Sequence, residues 1–98
     1  MKRGAYVYIM ASKRNGTLYT GVTSRLAERI YEHRTNAYAD SFTAKYNCKM
    51  LVYFCGFTSV EEAIAEEKRI KAGNRQSKLK LIENMNPLWK DLWEEITN

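Results

Sequence analysis

Glu67 has the most demanding setting in this chain. Between Ser59 and Ala72 the apolar residues Val60, Ala63, Ile64 and Ile70 recur at helical spacing. Glu67 lies four residues after Ala63 and three before Ile70, inside that apolar stripe, whereas Glu61 and Glu62 can turn to water. An ionised carboxylate in such a place is costly unless it is paired or binds a metal. Two readings stand. Glu67 holds a cation such as Mg²⁺, which takes few carboxylates and keeps several waters, or it sits at the stripe's edge against one of the nearby Lys or Arg residues.

Arg25, Arg29 and His33 follow one another at helical spacing and form a polar ridge beside Leu26 and Ile30. A guanidinium suits a bidentate grip on phosphate, and an imidazole can move a proton near neutral pH. A solvated cationic helix face is the plainer alternative. Tyrosines supply the third element. Tyr6 and Tyr8 share a strand face with Met10, Val7 and Ile9 take the other face, and Tyr19 lies on the next strand, followed by Thr20 and Gly21. A phenol is a poor base at its ordinary pKa near 10 unless a cation is close. Amphipathic core tyrosines are again the plainer reading.

These residues need elements to position them. Residues 5–10 and 17–22 read as two strands joined by turn chemistry at Ser12, Asn15 and Gly16, an antiparallel hairpin apolar on both faces. A helix follows, capped by Thr23 or Ser24 and running to about Arg34. Residues 35–49 are irregular, with room for a helical turn over 41–46. Residues 50–57 read as a third strand, apolar on both faces and so expected at the centre of the sheet. Thr58 or Ser59 caps a helix that runs to about Ala72 and stops at Gly73-Asn74, with the Ser-x-x-Glu pattern in Ser59 and Glu62. A further helix spans 76–84. Asn86-Pro87 opens a last one, with Leu88, Trp89, Leu92, Trp93 and Ile96 as its apolar stripe. The order is ββαβααα, an α+β fold with a small three-stranded antiparallel sheet flanked by helices on both sides.

At 98 residues the chain is expected to be a single domain, residues 1–98. The hydrophobic fraction of 45% and charged fraction of 28% are ordinary for a globular protein. No apolar run approaches the ~20 residues that span a bilayer, and the basic start Met1-Lys2-Arg3-Gly4 is not followed by a signal-peptide core. A cytoplasmic protein is expected, with no membrane partner. Two cysteines and one histidine argue against a structural zinc site, so Cys48 and Cys55 read as free thiols.

A net charge of +5 favours a polyanionic partner. Lys68, Arg69, Lys71, Arg75, Lys78 and Lys80 fall within thirteen residues beside Glu67. They form either a basic track for nucleic acid or a solvated helical face. Lys13 and Arg14 at the hairpin tip can add to it. Trp89, Trp93, Tyr53, Phe54 and Phe57 are assigned to packing.

Taken together, the residues resemble a known family. Tyr6-Val7-Tyr8 followed by Tyr19-Thr20-Gly21 is similar to the paired signature of the GIY-YIG nucleases. Arg29 falls ten residues after Tyr19, where that family keeps an arginine. His33 comes four residues later, where members carry His or Tyr, and Glu67 matches the metal-binding glutamate. The resemblance is to the small bacterial branch, and it extends to Phe42-Thr-Ala-Lys-Tyr46, Leu51-Val-Tyr53, 63–71 and Asn86-Pro-Leu-Trp89. The chain departs at Tyr6 and Thr20 within the signature, at Cys55, where relatives carry an acid, and at Glu66, where they are often basic.

What the resemblance implies is a divalent-metal-dependent endonuclease hydrolysing phosphodiester bonds in DNA, with RNA left open, using Mg²⁺ or Mn²⁺. Glu67 would anchor the ion, and Arg29 would stabilise charge on the phosphate. Tyr8, Tyr19 and His33 would place or deprotonate the attacking water. With no base-reading element, the enzyme would be structure-selective or weakly specific, serving DNA repair or recombination, or would draw specificity from a protein partner. The alternatives are a non-catalytic nucleic-acid-binding module and a nuclease subunit of a larger complex on the same fold.

Overall fold

The computed structural model describes residues 4–97; the basic start at residues 1–3 lies outside them. Eight elements follow in order: β1 (Ala5–Ala11), β2 (Leu18–Thr23), α1 (Leu26–Arg34), α2 (Phe42–Lys45), β3 (Met50–Phe57), α3 (Val60–Ala72), α4 (Arg75–Met85) and α5 (Trp93–Thr97). The three strands form one antiparallel sheet in the order β2-β1-β3. The short helical turn α2 falls within the irregular stretch, as its composition allowed, and Ser41 caps it through the Ala44 amide.

Alternation along β1 divides the core in two. Ala5, Val7, Ile9 and Ala11 join Ala63, Ile70, Ile82 and Trp89 on the face covered by α3 and α4. Tyr8 and Met10 join Leu26, Ile30, Leu51 and Leu92 on the face covered by α1 and α5. The expected free thiols fit these clusters: Cys48 is fully buried in the second and Cys55 packs against the first.

Two expectations are corrected. The central strand is β1, and β3 is an edge strand. Its apolar character has two causes. The register slips between Ile9 and Met10, so Val52 is an extra residue on β3, and a loop anchored by the buried Asn86, Trp89 and Leu92 covers the outer edge of β3. That loop is the second correction. Residues 86–92 are not helical; the last helix is only Trp93–Thr97, and Trp89 adopts a left-handed φ of 55°.

The physical reason is that the loop must pass from one face of the sheet to the other. Trp89 is buried with the α3/α4 cluster and Leu92 with the α1 cluster, which one short helical stripe cannot achieve. Polar side chains hold the crossing in place. Asn86 donates to the Val52 and Lys90 carbonyls, and Asp91 accepts from the Leu51 amide. The Leu92 amide donates to the Leu51 carbonyl. The exposed backbone of an edge strand is thereby satisfied within the chain.

The helix signals behave as chemistry requires. Ser59 accepts from the Glu62 amide at 3.1 Å, and Asn74 starts α4 by accepting from Ser77 at 2.9 Å. The expected Thr23 or Ser24 cap of α1 is also corrected: Arg25 holds the N-cap position with no side-chain cap bond, and Thr23 accepts only from the Arg25 amide ahead of the helix.

Candidate active site

The site is built around the Tyr8 phenol. Tyr8 stands on the central strand and pairs with Gly21 on β2, so both residues address the same face of the sheet. A side chain on Gly21 would begin 2.5 Å from Tyr8 Cζ and Oη. The missing Cβ is therefore the slot that lets the phenol cross β2 towards the open edge of the sheet. Tyr19, two residues earlier on β2, is half-buried with its ring centre 6.3 Å from that of Tyr8.

α1 brings His33 to the same place. Its Nε2 shares a buried 2.8 Å hydrogen bond with the Tyr8 hydroxyl, and its Nδ1 lies 2.7 Å from Thr43 Oγ1 on α2. Thr43 Oγ1 is 3.2 Å from Ser41 Oγ. Arg29 beside the phenol is a donor only, so the acceptor for the phenol proton is Nε2. We therefore assign the ring hydrogen to Nδ1, donating to Thr43. Burial, then the charge of Arg29, pushes the His33 pKa down to about 4, against a smaller opposing pull from Glu32. The imidazole is neutral at physiological pH, which this arrangement requires.

Burial holds Tyr8 well above the usual range for a phenol, and Tyr19 adds to it. Arg29 pulls the other way, through hydrogen bonding and charge, and Glu67 raises it further. Arg29 is thus close enough to favour the ionised phenol, and the Glu67 carboxylate is felt at the same oxygen. Burial works against the charge of Arg29, but hydrogen bonding to Glu32 and Tyr8 outweighs it and raises its pKa. Its Nη1 donates to Glu32 at 2.9 Å and its guanidinium lies over the Tyr38 ring at 5.6 Å. Arg29, Glu32, Tyr38, Thr23, Arg25 and Glu28 line an open cleft of about 340 Å³, to which Arg29 is the one contributor from the five candidate residues.

Glu67 arrives from the other side of the sheet. α3 packs against β1 and β2, and the Glu67 side chain is only 14% exposed, with Oε2 2.9 Å from Lys71 Nζ. The structure shows the second of the two readings, a carboxylate paired with a nearby lysine. β2 is an edge strand, so groups from the two faces of the sheet can meet around it.

Among the described residues no three His, Cys, Asp or Glu side chains gather as a metal cluster. The candidate donor is one shielded carboxylate, Glu67. That donor fits a hard cation which keeps most of its ligands as water and substrate oxygen, as Mg²⁺ does. It does not fit zinc, which wants four nitrogen or sulfur ligands in a structural site.

The basic residues behave unevenly. Lys68 is exposed on α3. Lys71 is on Glu67, and Arg69 is held by Glu66. Arg69 also lines, with Ser77, Lys80 and Asn84, a groove between α3 and α4 rather than the Arg29 cleft. Arg75 donates to the Asn15 and Gly16 carbonyls and so ties α4 to the hairpin tip. Lys78 donates to the Gly73 carbonyl at the end of α3. Arg25, the first member of the α1 ridge, pairs with Glu28 in solvent.

Sequence reasoning missed Thr43 and Ser41. A buried histidine needs a partner for its second nitrogen, but nothing in the spacing says which hydroxyl provides it.

The GIY-YIG catalytic domain family matches residues 4–80. A UPF0213 protein of Staphylococcus haemolyticus is 42% identical over 78 residues, spanning 80% of this chain and 93% of its own length. A UPF0213 protein of Oceanobacillus iheyensis is 41% identical over 78 residues, 80% of this chain and 88% of its own. The solution NMR structure of a UPF0213 protein from Bacillus halodurans shares the fold with a TM-score of 0.56 at 30% identity, covering 89% of this chain and 90% of that one. With most of its length matched and the sheet-and-helix arrangement shared, this chain belongs to the GIY-YIG family of nucleases.

Proposed function

We propose that this chain is a divalent-metal-dependent endonuclease that hydrolyses phosphodiester bonds in DNA, structure-selective or weakly specific, acting in repair or recombination. The observation that carries the reading is the buried 2.8 Å hydrogen bond between the Tyr8 phenol and His33, with the Arg29 guanidinium acting on the same phenol.

In this reading Arg29 grips a non-bridging phosphate oxygen and meets the negative charge that grows there. Its ion pair with Glu32 holds the guanidinium at the mouth of the cleft. Tyr8, 1% exposed, orients rather than meets solvent, and the His33–Thr43 pair fixes its proton. Tyr19 is the less buried of the two phenols, and it positions the attacking water. Glu67 would hold Mg²⁺ or Mn²⁺, with Lys71, half-exposed, turning away from the carboxylate. The ion supplies Lewis-acid stabilisation of phosphoryl and leaving oxygens when bound.

The Lys71–Glu67 ion pair favours a second reading, a non-catalytic nucleic-acid-binding module whose carboxylate is already neutralised. The test is a panel of branched, flapped, nicked, single-stranded and fully paired DNA with Mg²⁺, Mn²⁺ or EDTA. Metal-dependent cleavage supports the enzyme. Binding that survives EDTA, with every substrate left intact under both metals, supports the module.

A further inference from the structure

A run of aromatic rings leads out of the site. The Tyr19 ring is 5.8 Å from that of Phe42, and Phe42 is 4.6 Å from Tyr46. Phe42 and Tyr46 bracket α2 one helical turn apart, so their rings share a face. Both are unusually open for large rings, at 44% and 45% exposure. Lys45 Nζ sits 5.6 Å from the Tyr46 ring centre. The run begins at Tyr19, whose ring centre is 5.5 Å from that of His33, so it starts at the candidate site.

Half-exposed rings beside a cation suit one kind of occupant. A nucleotide offers a flat base to the rings and a phosphate to the ammonium, and stacking of this kind tolerates any base. In an intact duplex each base face is covered by its neighbours, so only an unpaired or displaced base has a face to offer. The excess positive charge of the chain agrees with a polyanionic occupant.

We propose that Phe42 and Tyr46 form a stacking platform for an unpaired base next to the phosphate held at Arg29, so that the substrate is nucleic acid with a single-stranded or displaced nucleotide at the cut. The proposal rests on the nuclease reading above and adds the substrate class to it.

The test uses the full chain in EDTA, where cleavage does not interfere, and two duplexes, one carrying a bulged 2-aminopurine and one carrying the same base paired. Wild type should bind the bulged duplex more tightly and quench its fluorescence by stacking. Phe42→Leu and Tyr46→Leu should each lower the preference for bulged over paired DNA by roughly tenfold. Phe42→Tyr and Tyr46→Phe, which keep the rings, should retain it. Absence of quenching in wild type, an unchanged preference in the leucine variants, or an equal loss in the ring-keeping variants overturns the platform. If a leucine variant does not fold, Phe42→Trp and Tyr46→Trp decide, because a larger ring face should keep or raise the preference and a fall overturns the proposal. Parallel assays with Mg²⁺ separate the two ideas. Cleavage without a preference for bulged DNA removes the platform and keeps the enzyme. A preference without cleavage removes the enzyme and keeps the platform.

Discussion

The phenol of Tyr8 occupies the space in which Gly21 would otherwise carry a side chain, with Cζ and Oη each 2.5 Å from where a Cβ would stand. The two residues face each other across β1 and β2, and the same ring end is hydrogen-bonded to His33 on α1. The glycine is needed here for close approach rather than for an unusual backbone angle. Gly21→Ala should push the phenol off His33 and also crowd Tyr19, whose Cε2 is 3.0 Å from the same Cβ position. Overpacking of this kind costs roughly 1–3 kcal/mol, so the midpoint of urea unfolding should fall. Metal-dependent cleavage, referred to the folded fraction, should fall by at least about tenfold. A Gly21→Ala protein as active as wild type would mean that the phenol's position does not matter.

His33 gives a pH prediction with a definite sign. Its folded pKa, about 4, lies below the ordinary value of 6.5. Between those two values the unfolded chain binds the proton and the folded chain does not, so stability rises with pH across the window. The contribution is fully present above pH 6.5 and is lost as pH falls through 4. Its size is on the order of 3 kcal/mol. The chain has one histidine, so its imidazole resonances in an NMR titration are unambiguous and should move near pH 4. Urea unfolding from pH 7 to 4 should be steeper for wild type than for His33→Gln. An imidazole that titrates near 6.5 in the folded protein would contradict the buried Tyr8–His33–Thr43 arrangement.

Arg29 and Glu67 should separate activity from stability. Each is an ion-pair partner, Arg29 with the partly open Glu32 and the shielded Glu67 with the half-exposed Lys71, and pairs with a member that reaches solvent contribute little, about 0–1 kcal/mol. Arg29→Ala and Glu67→Gln should therefore unfold within about 1 kcal/mol of wild type. Cleavage should drop by roughly 100-fold or more in both, the scale seen when a donor to developing charge is removed. Arg29→Lys should recover little, because an ammonium cannot reproduce the planar fork. Glu67→Gln should also remove the response to Mg²⁺ in a titration of metal against rate. Wild-type rates in either charge-removing variant would defeat the proposed roles.

Much of this arrangement was legible in the chain, and the reasons are local. Alternation along Tyr6 to Met10 separates two faces, and the structure divides its core along that line. Capping at Ser59 and the stop at Gly73 depend on near neighbours, so α3 and the placing of Glu67 within it were readable. The order of the strands was not. An apolar run looks the same whether a second strand or a loop covers its edge, and β3 is covered by residues that follow it by more than thirty positions. The expected last helix failed for the same reason, since Asn86 and Asp91 gain more from the β3 backbone than from continuing a helical turn. In the site, the types and spacing of Arg29 and His33 were readable, whereas the bond from His33 to Thr43 depends on how α2 folds back over α1.

The loop itself supplies the last prediction. Asn86 is 5% exposed. Its Nδ2 donates to Val52 O at 3.2 Å and Lys90 O at 2.8 Å, and its Oδ1 accepts from the Lys90 amide at 3.0 Å. Truncation leaves buried backbone groups on both β3 and the loop without partners, a loss of about 2–3 kcal/mol. Asn86→Asp keeps the acceptor and removes both donated bonds, so it should recover only part of that. The loop lies along β3, and the candidate site gathers at β2, the opposite edge of the sheet. Asn86→Ala should therefore lower the unfolding midpoint while leaving the cleavage rate per folded molecule unchanged. Denaturant unfolding and cleavage on the same preparation check both halves. A fall in rate at full stability would show that the β3 edge takes part in the site, and that the division of labour between the two edges of the sheet is wrong.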